Sequence, residues 1–218
     1  MKPTDVRKPL WIALVVVACF FVGYLFYMLR PKPEPVDPRQ LLTQVAKSIE
    51  QRDYKSLLGA LAPEERDLLN LDELALSEFM RRVFEPNLEG FRPTDLTFEG
   101  PDSDPAAIQT YEHPDGRRVQ LILPTIKTDD GTYVVGLVFF LTGAAMQARA
   151  QKTAPLDSPD SAAAMAKAFE EEMPVFTSLR IPGVVLYSNG KFTLETWEER
   201  IEQARKYAEA VRKREGAQ

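Results

Sequence analysis

Few residues in this sequence have the types and spacing that catalysis or cofactor binding requires. The chain contains one histidine, His113, and one cysteine, Cys19. A single histidine cannot supply a site built from several imidazoles, and a Ser-His-Asp triad would have to recruit the same residue without a Gly-x-Ser-x-Gly turn. Glycine-rich loops that hold phosphates are also missing from the sequence. We therefore predict no catalytic residues and no cofactor.

Acidic pairs are the next candidates for chemistry, because carboxylate oxygens are preferred ligands of calcium. Asp102 with Asp104, and Asp129 with Asp130, are close in sequence. Neither pair continues into the Asp-x-Asp-x-Asp-Gly pattern of a calcium loop. Aspartate is also favoured in turns, where its side chain accepts hydrogen bonds from the nearby backbone. The sequence therefore predicts no metal site.

A tyrosine and a carboxylate brought together in a pocket could act as acid and base. Tyr111, Tyr133 and Asp95 are the residues that the sequence offers for such a pocket. Bulky apolar residues dominate the segments around them, so the competing interpretation is a filled core. We keep the three residues as a candidate pocket and favour the filled core.

The segment 10–29 is the most apolar part of the chain and contains no charged residue. A helix of this length rises about 30 Å, which matches the hydrocarbon thickness of a bilayer. Arg7 and Lys8 precede the segment, and Arg30 and Lys32 follow it. We predict a single-pass anchor that contacts the lipid bilayer through residues 10–29. Its predicted membrane-spanning residues include Leu10, Trp11, Phe20, Phe21, Tyr24 and Leu29.

Two other interpretations of this segment stay open. A cleaved secretory signal needs a short apolar core followed by small residues, whereas this run continues to Leu29. The sequence Val16-Val17-Ala18-Cys19 is similar to a bacterial lipobox, in which the cysteine is lipidated. The short tail before the span favours a cytoplasmic amino terminus. We therefore expect an inner (plasma) membrane protein whose carboxyl-terminal domain lies outside the cytoplasm.

The remainder of the chain reads as a folded, acidic domain. In the whole chain, Asp and Glu number 32 against 27 Lys and Arg. Outside the last turn of the chain, no run of basic residues with interleaved aromatic residues is present, so we predict no binding to nucleic acid. The predicted organisation is a cytoplasmic tail (1–9), the transmembrane helix (10–29), a Pro-rich linker (30–38), an α+β cone-like domain (39–150) and a helix-hairpin-helix extension (151–218).

Capping and periodicity predict the elements of that domain. Asp37 and Pro38 begin a helix, Asp53 begins a second one, and a longer helix runs from about Asp72 to Pro86. The period then changes to alternation, which predicts an antiparallel meander whose last strand spans 133–141. After a loop over 152–161 we expect a helix, a hairpin turning at Asn189-Gly190, and a last helix opened by a Thr196–Glu199 capping box. The predicted fold class is thus α+β: an amino-terminal transmembrane helix, helices packed on a curved antiparallel sheet, and a helical and hairpin extension.

The stretch 48–61, SIEQRDYKSLLGAL, resembles the start of nuclear transport factor 2-like domains, which have the cystatin-like cone fold. In that family a helix ends at an Asp followed by an aromatic residue, and the next helix carries paired leucines. The resemblance covers about residues 37–141 and implies a cone closed by helices. Bacterial inner-membrane proteins with one span and an exported domain of this kind often serve as assembly components of envelope machines, including type IV secretion systems.

We therefore predict a single-pass, membrane-anchored, noncatalytic binding or assembly module exposed outside the cytoplasm. Its expected partner is another envelope protein or a second copy of the chain. The alternative is a membrane-tethered pocket of the cone fold that binds or converts a small ligand.

Overall fold

The computed structural model describes residues 37–129, 131–155, 158 and 160–215. The elements in chain order are α1 (Pro38–Gln51), α2 (Tyr54–Ala60), α3 (Pro63–Leu69), α4 (Glu73–Phe79), a π-helical turn (Met80–Phe84), α5 (Glu85–Asn87), β1 (Arg92–Glu99), β2 (Ala106–Glu112), β3 (Arg118–Lys127), β4 (Tyr133–Val135), α6 (Val138–Ala150), α7 (Ser161–Phe176), β5 (Gly183–Ser188), β6 (Lys191–Thr196) and α8 (Trp197–Glu215).

The first helices begin where their caps predict. The Asp37 carboxylate accepts a hydrogen bond from the backbone N–H of Arg39 at 3.0 Å, and Asp53 accepts one from Ser56 at 3.1 Å. These bonds satisfy N–H groups that have no partner within the first helical turn. Arg52 ends α1 in a left-handed conformation with φ of 58°. The predicted break between α1 and α2 is therefore confirmed.

The long helix expected after Asp72 is present, but it has a widened turn near its end. In this π-helical turn, the backbone N–H of Glu85 donates to the carbonyl of Met80, five residues earlier. The turn ends at Phe84, two residues before Pro86, which has no N–H to donate. Pro86 therefore lies inside α5 rather than marking the end of the helix, which continues to Asn87.

The first four strands form one antiparallel sheet in the order β1-β2-β3-β4. Helix α1 packs against all four strands, and α6 packs against β3. Buried residues alternate with half-buried ones along β2 and with exposed ones along the first part of β3, as expected for a sheet with one face on the core. The largest fully buried side chains are Leu42, Leu57, Leu61, Leu69, Leu76, Phe79, Met80, Leu121, Leu123, Leu137, Phe169 and Phe176.

The strand predicted over 133–141 is wrong in its length. Strand β4 ends at Val135, and a helix, α6, begins at Val138. The Glu65 carboxylate accepts hydrogen bonds from the backbone N–H groups of Leu137 and Val138. This contact satisfies donors at the start of α6, so a distant residue favours a helix where apolar content alone favoured a strand.

The carboxyl-terminal elements agree with the sequence. Asn189 and Gly190, with φ of 54° and 75°, form the turn between β5 and β6. The backbone N–H of Thr196 donates to the Glu199 carboxylate at 2.8 Å, and the N–H of Glu199 donates to Thr196 Oγ1 at 3.3 Å. This reciprocal pair is the predicted capping box. Trp197 then stacks on Phe176 with 4.2 Å between ring centroids, which fixes α8 against α7.

The predicted fold class requires a correction. None of the helices among residues 37–129, 131–155 and 160–215 combines the length and apolar character needed to cross a membrane. The supported class is α+β, with a four-stranded antiparallel sheet and helices, and no membrane-spanning helix belongs to its described elements. The span predicted over residues 10–29 lies outside the described residues.

Candidate functional site

The three residues that the sequence suggested for a pocket lie on three different strands. Tyr111 is buried in β2, and its ring meets the edge of Phe84 with 6.3 Å between centroids. Tyr133, in β4, donates a hydrogen bond from its hydroxyl to the carbonyl of Ser103 at 2.9 Å. Asp95 is exposed on β1. Tyr111 lines a cleft, and neither Tyr133 nor Asp95 lines that cleft.

The Tyr111 cleft has a volume of about 580 Å³ and lies between the end of α1, the π-helical turn and β2. At its rim Glu85 accepts a hydrogen bond from the Tyr54 hydroxyl at 2.9 Å and pairs with Arg52 at 2.9 Å. Burial raises the pKa of Tyr111 far above its ordinary value of 10.0. Tyr111 is therefore neutral near pH 7, so it can donate a hydrogen bond there but cannot act as a base.

A second concave surface lies between the β5–β6 hairpin and the end of β3. It consists of two hollows, of about 540 and 210 Å³, which share Ile126, Tyr187 and Phe192. We call this surface the hairpin groove. Its apolar lining consists mainly of Leu68, Ile126, Phe139, Phe140, Tyr187 and Phe192.

Large apolar side chains are unusually exposed in the hairpin groove. Tyr187 and Phe192 flank the Asn189–Gly190 turn as a cross-strand pair, with 4.8 Å between ring centroids. Tyr187 is 46% exposed, and Leu68, on α3, is 37% exposed. Among the described residues, five large apolar side chains are at least 37% exposed. Two of the five, Leu68 and Tyr187, line the same hollow. A concave surface that leaves such groups in water is typical of a binding site.

The smaller hollow of the groove has a buried carboxylate in its wall. Glu65 is 1% exposed and accepts hydrogen bonds from Leu137 at 3.1 Å and from Val138 at 2.9 Å. Burial raises the pKa of Glu65 to about 7, although these two hydrogen bonds oppose the change. Gly136 lies alongside, because a Cβ added to it would be 4.0 Å from Glu65 Oε2.

No basic side chain of the described residues pairs with this carboxylate. Within the described part of the chain, none of the ion pairs includes Glu65. Among the described residues, the groups that stabilise its negative charge are these two N–H groups, at the positive end of the α6 dipole. The hollow therefore combines an apolar lining with one acidic group that has no basic partner in the described part of the chain.

A second buried acid lies in β6. Glu195 is buried, its carboxylate has no hydrogen-bond partner among the described residues, and Arg200 lies 3.7 Å from it. The Arg200 guanidinium lies over the rings of Phe139 at 4.7 Å and Phe169 at 5.5 Å. Burial raises the pKa of Glu195 and lowers that of Arg200. This pair joins α8 to α6 and α7 through aromatic contacts.

Sequence reasoning missed Glu65 and Leu68. Both lie on α3, where Glu65 reads as an ordinary acidic residue of the first turn and Leu68 as one of two adjacent leucines. No local signal marks either of them, because their neighbours in the groove come from distant segments. The hairpin that carries Tyr187 and Phe192 was predicted from its Asn189-Gly190 turn, but a binding surface beside it was not.

The chemistry of the described residues is limited. No group of three or more His, Cys, Asp or Glu side chains in these residues could hold a metal ion. The strongest features are therefore the Tyr111 cleft and the hairpin groove.

No protein-family model, no curated protein and no solved structure matches this chain.

Proposed function

We propose that this chain is a noncatalytic binding or assembly module whose hairpin groove receives a partner protein. The observation that carries the proposal is the exposure of Leu68 and Tyr187 in one hollow, at 37% and 46%. Covering these side chains removes apolar surface from water, which is the main driving force of protein association. The β5–β6 hairpin and the first turn of α6 line the groove. Both are regular elements, which favours a preorganised binding surface.

We also propose that the module acts at the inner (plasma) membrane, with its folded domain outside the cytoplasm. The uncharged segment 10–29 supports membrane attachment, and the Pro-rich segment 30–38 supports a spacer. The similarity of stretch 48–61 to nuclear transport factor 2-like domains supports an assembly role. The partner is then a second envelope protein or another copy of the chain.

Site-specific crosslinking in native membranes tests the proposal. A photoreactive phenylalanine derivative replaces Tyr187 in the full-length chain, and a matched control carries it in place of Tyr207. Tyr207 is 66% exposed on α8 and lies outside the groove. We expect one discrete adduct from position 187 and none of that size from position 207. Equal adducts at both positions, or none at either, would contradict the proposal.

The Tyr111 cleft supports a second candidate function, which is binding of a small ligand. The observation that favours it is the cleft volume of about 580 Å³, which lies within the range typical of ligand sites. A ligand that uses the Tyr111 hydroxyl should raise the melting temperature of the full-length chain more than that of Tyr111→Phe. A fragment screen without such a molecule contradicts this second candidate.

A further inference from the structure

We propose that the smaller hollow of the hairpin groove binds a lysine side chain of the partner protein, an inference that rests on the proposed function of the groove. The lysine stem would lie along the apolar walls of the hollow. Its ammonium group would face Glu65. Three features of the hollow, namely its charge, its aromatic walls and its size, support this assignment.

The charge of the hollow is the first feature. Glu65 is an acid that is 1% exposed, and its hydrogen-bond partners within the described residues are backbone N–H groups. A buried charge without a counter-charge is costly, and an incoming cation would reduce that cost. The ammonium group would also favour the ionised form of Glu65. The charge of the site therefore selects a cation over an anion.

The aromatic walls are the second feature. Phe139, Phe140, Tyr187 and Phe192 all line the hollow, and the faces of aromatic rings attract cations. The ring of Phe139 already contacts one cation, because the Arg200 guanidinium lies 4.7 Å from its centroid. A second cation inside the hollow would find a carboxylate and several rings within one enclosed space.

The size of the hollow is the third feature. Its volume of about 210 Å³ is below the roughly 300–1,000 Å³ of typical small-molecule sites. This space suits one unbranched side chain. Lysine has a narrow four-carbon stem and a compact ammonium group, whereas arginine presents a planar fork that prefers two free carboxylate oxygens. Both oxygens of Glu65 already accept backbone hydrogen bonds.

The larger hollow adjoins the smaller one, and both acidic and basic side chains line it. Its carboxylates belong to Glu64, Asp67 and Asp129, and its ammonium groups to Lys127 and Lys191. The acidic groups outnumber the basic ones, which favours the approach of a basic segment. A lysine flanked by apolar residues is therefore the expected anchor of the partner.

The test uses the full-length chain in detergent micelles, with its tyrosines replaced by 3-fluorotyrosine. The fluorine resonance of Tyr187 is assigned by its disappearance in Tyr187→Phe. The chain is titrated with Nα-acetyl-lysine methylamide and, as a matched neutral probe, with Nα-acetyl-norleucine methylamide. We expect the lysine probe to shift the Tyr187 resonance with an affinity about tenfold higher than that of the norleucine probe.

Three variants locate the effect. Glu65→Gln should abolish the preference for lysine, because it removes the negative charge with little change of shape. Gly136→Ala should weaken lysine binding while keeping the fold, since the new methyl group would lie 4.0 Å from Glu65 Oε2. Glu209→Gln, on the exposed face of α8 and outside both hollows, should leave the lysine preference within about twofold of the wild-type value.

Several outcomes would overturn the inference. Equal affinity for the two probes would show an apolar hollow without charge selectivity, and no response to either would show a closed one. Tighter binding of the corresponding arginine derivative than of the lysine probe would exclude the lysine assignment. n-Butylamine binding about tenfold more tightly than the lysine probe would assign the site to a free amine. If position 187 still crosslinks to a partner while the lysine probe fails, only this inference is wrong and the proposed function stands. Lysine binding without a crosslink would show a lysine-selective hollow without a partner protein; it would contradict the proposed function and the assignment of the lysine to a partner.

Discussion

The buried carboxyl of Glu65 should make the stability of this protein fall as the pH rises from acid to neutral. Its pKa is about 7 in the folded chain, against an ordinary value of 4.5. The folded state therefore holds the proton more tightly than the unfolded state. Below about pH 4.5 both states are protonated, and above about pH 7 neither is. Between these limits folding must retain a proton that the unfolded chain releases, so the free energy of unfolding decreases.

The size of this effect follows from the difference between the two pKa values. At about 1.4 kcal/mol per pKa unit, the free energy of unfolding should fall by about 3 kcal/mol across this interval. Glu65 is 1% exposed, so little of this is lost to solvent screening. Glu65→Gln removes the titrating group and should remove this part of the slope. Other carboxyl groups titrate as well, and the difference between the two proteins isolates Glu65.

Urea unfolding of the full-length chain, followed by tryptophan fluorescence at several pH values, measures this difference. Trp197 is buried and stacked on Phe176, so its emission reports on the folded core. Glu64→Gln is the matched control and should keep the wild-type slope. The reasoning is refuted if wild type and Glu65→Gln lose stability in parallel between about pH 4.5 and about pH 7.5.

Three further substitutions test a helix cap, a strand contact and the core, each by the free energy of unfolding. Thr196→Ala removes the capping box with Glu199 and should cost about 1 kcal/mol; an unchanged value would show that the cap is not needed. Gly183→Ala would place a Cβ against the carbonyl oxygen of Glu195, so we expect at least about 2 kcal/mol of destabilisation, and wild-type stability would contradict the close approach of β5 and β6. Phe79→Ala empties a fully buried position and should cost about 3–5 kcal/mol, whereas a cost below about 1 kcal/mol would mean that the core can collapse around it.

The elements that depend on local signals could be predicted from the sequence. Asp37 and Asp53 begin helices because their side chains bond to N–H groups two or three residues away. Asn189-Gly190 forms a hairpin turn because both residues adopt positive φ. These interactions lie within a few residues of the chain, so no knowledge of the fold is needed to see them.

The elements that depend on distant partners could not be predicted. The helix that begins at Val138 replaces an expected strand because Glu65, 73 residues earlier, caps it. The groove has the same origin, since α3 brings Leu68 to a hollow shared with Tyr187 and Phe192.

The predicted fold class was wrong because it included a transmembrane helix. None of the helices in the described residues is long and apolar enough to cross a membrane, and the class that these residues support is α+β.

The candidate pocket shows the same limit. Tyr111 lines a cleft whose other walls come from α1 and the π-helical turn, which are far from it in sequence. Tyr133 and Asp95 were grouped with it only because tyrosine and carboxylate chemistry could combine. The strand register separates them, since Asp95 lies at a bulge of β1 and Tyr133 pairs with Lys127. Residue type alone does not contain that register.

The most direct test of a partner in the hairpin groove compares two leucine variants of the full-length chain. Leu68→Ser changes the groove, whereas Leu74→Ser changes a leucine that is 52% exposed on α4 and lies outside the groove. The partner identified by crosslinking from position 187 is quantified after purification of each variant from solubilised membranes. We predict that Leu68→Ser retains less than about a tenth of the partner and that Leu74→Ser retains the wild-type amount. Equal retention by the two variants would contradict the proposed role of the groove.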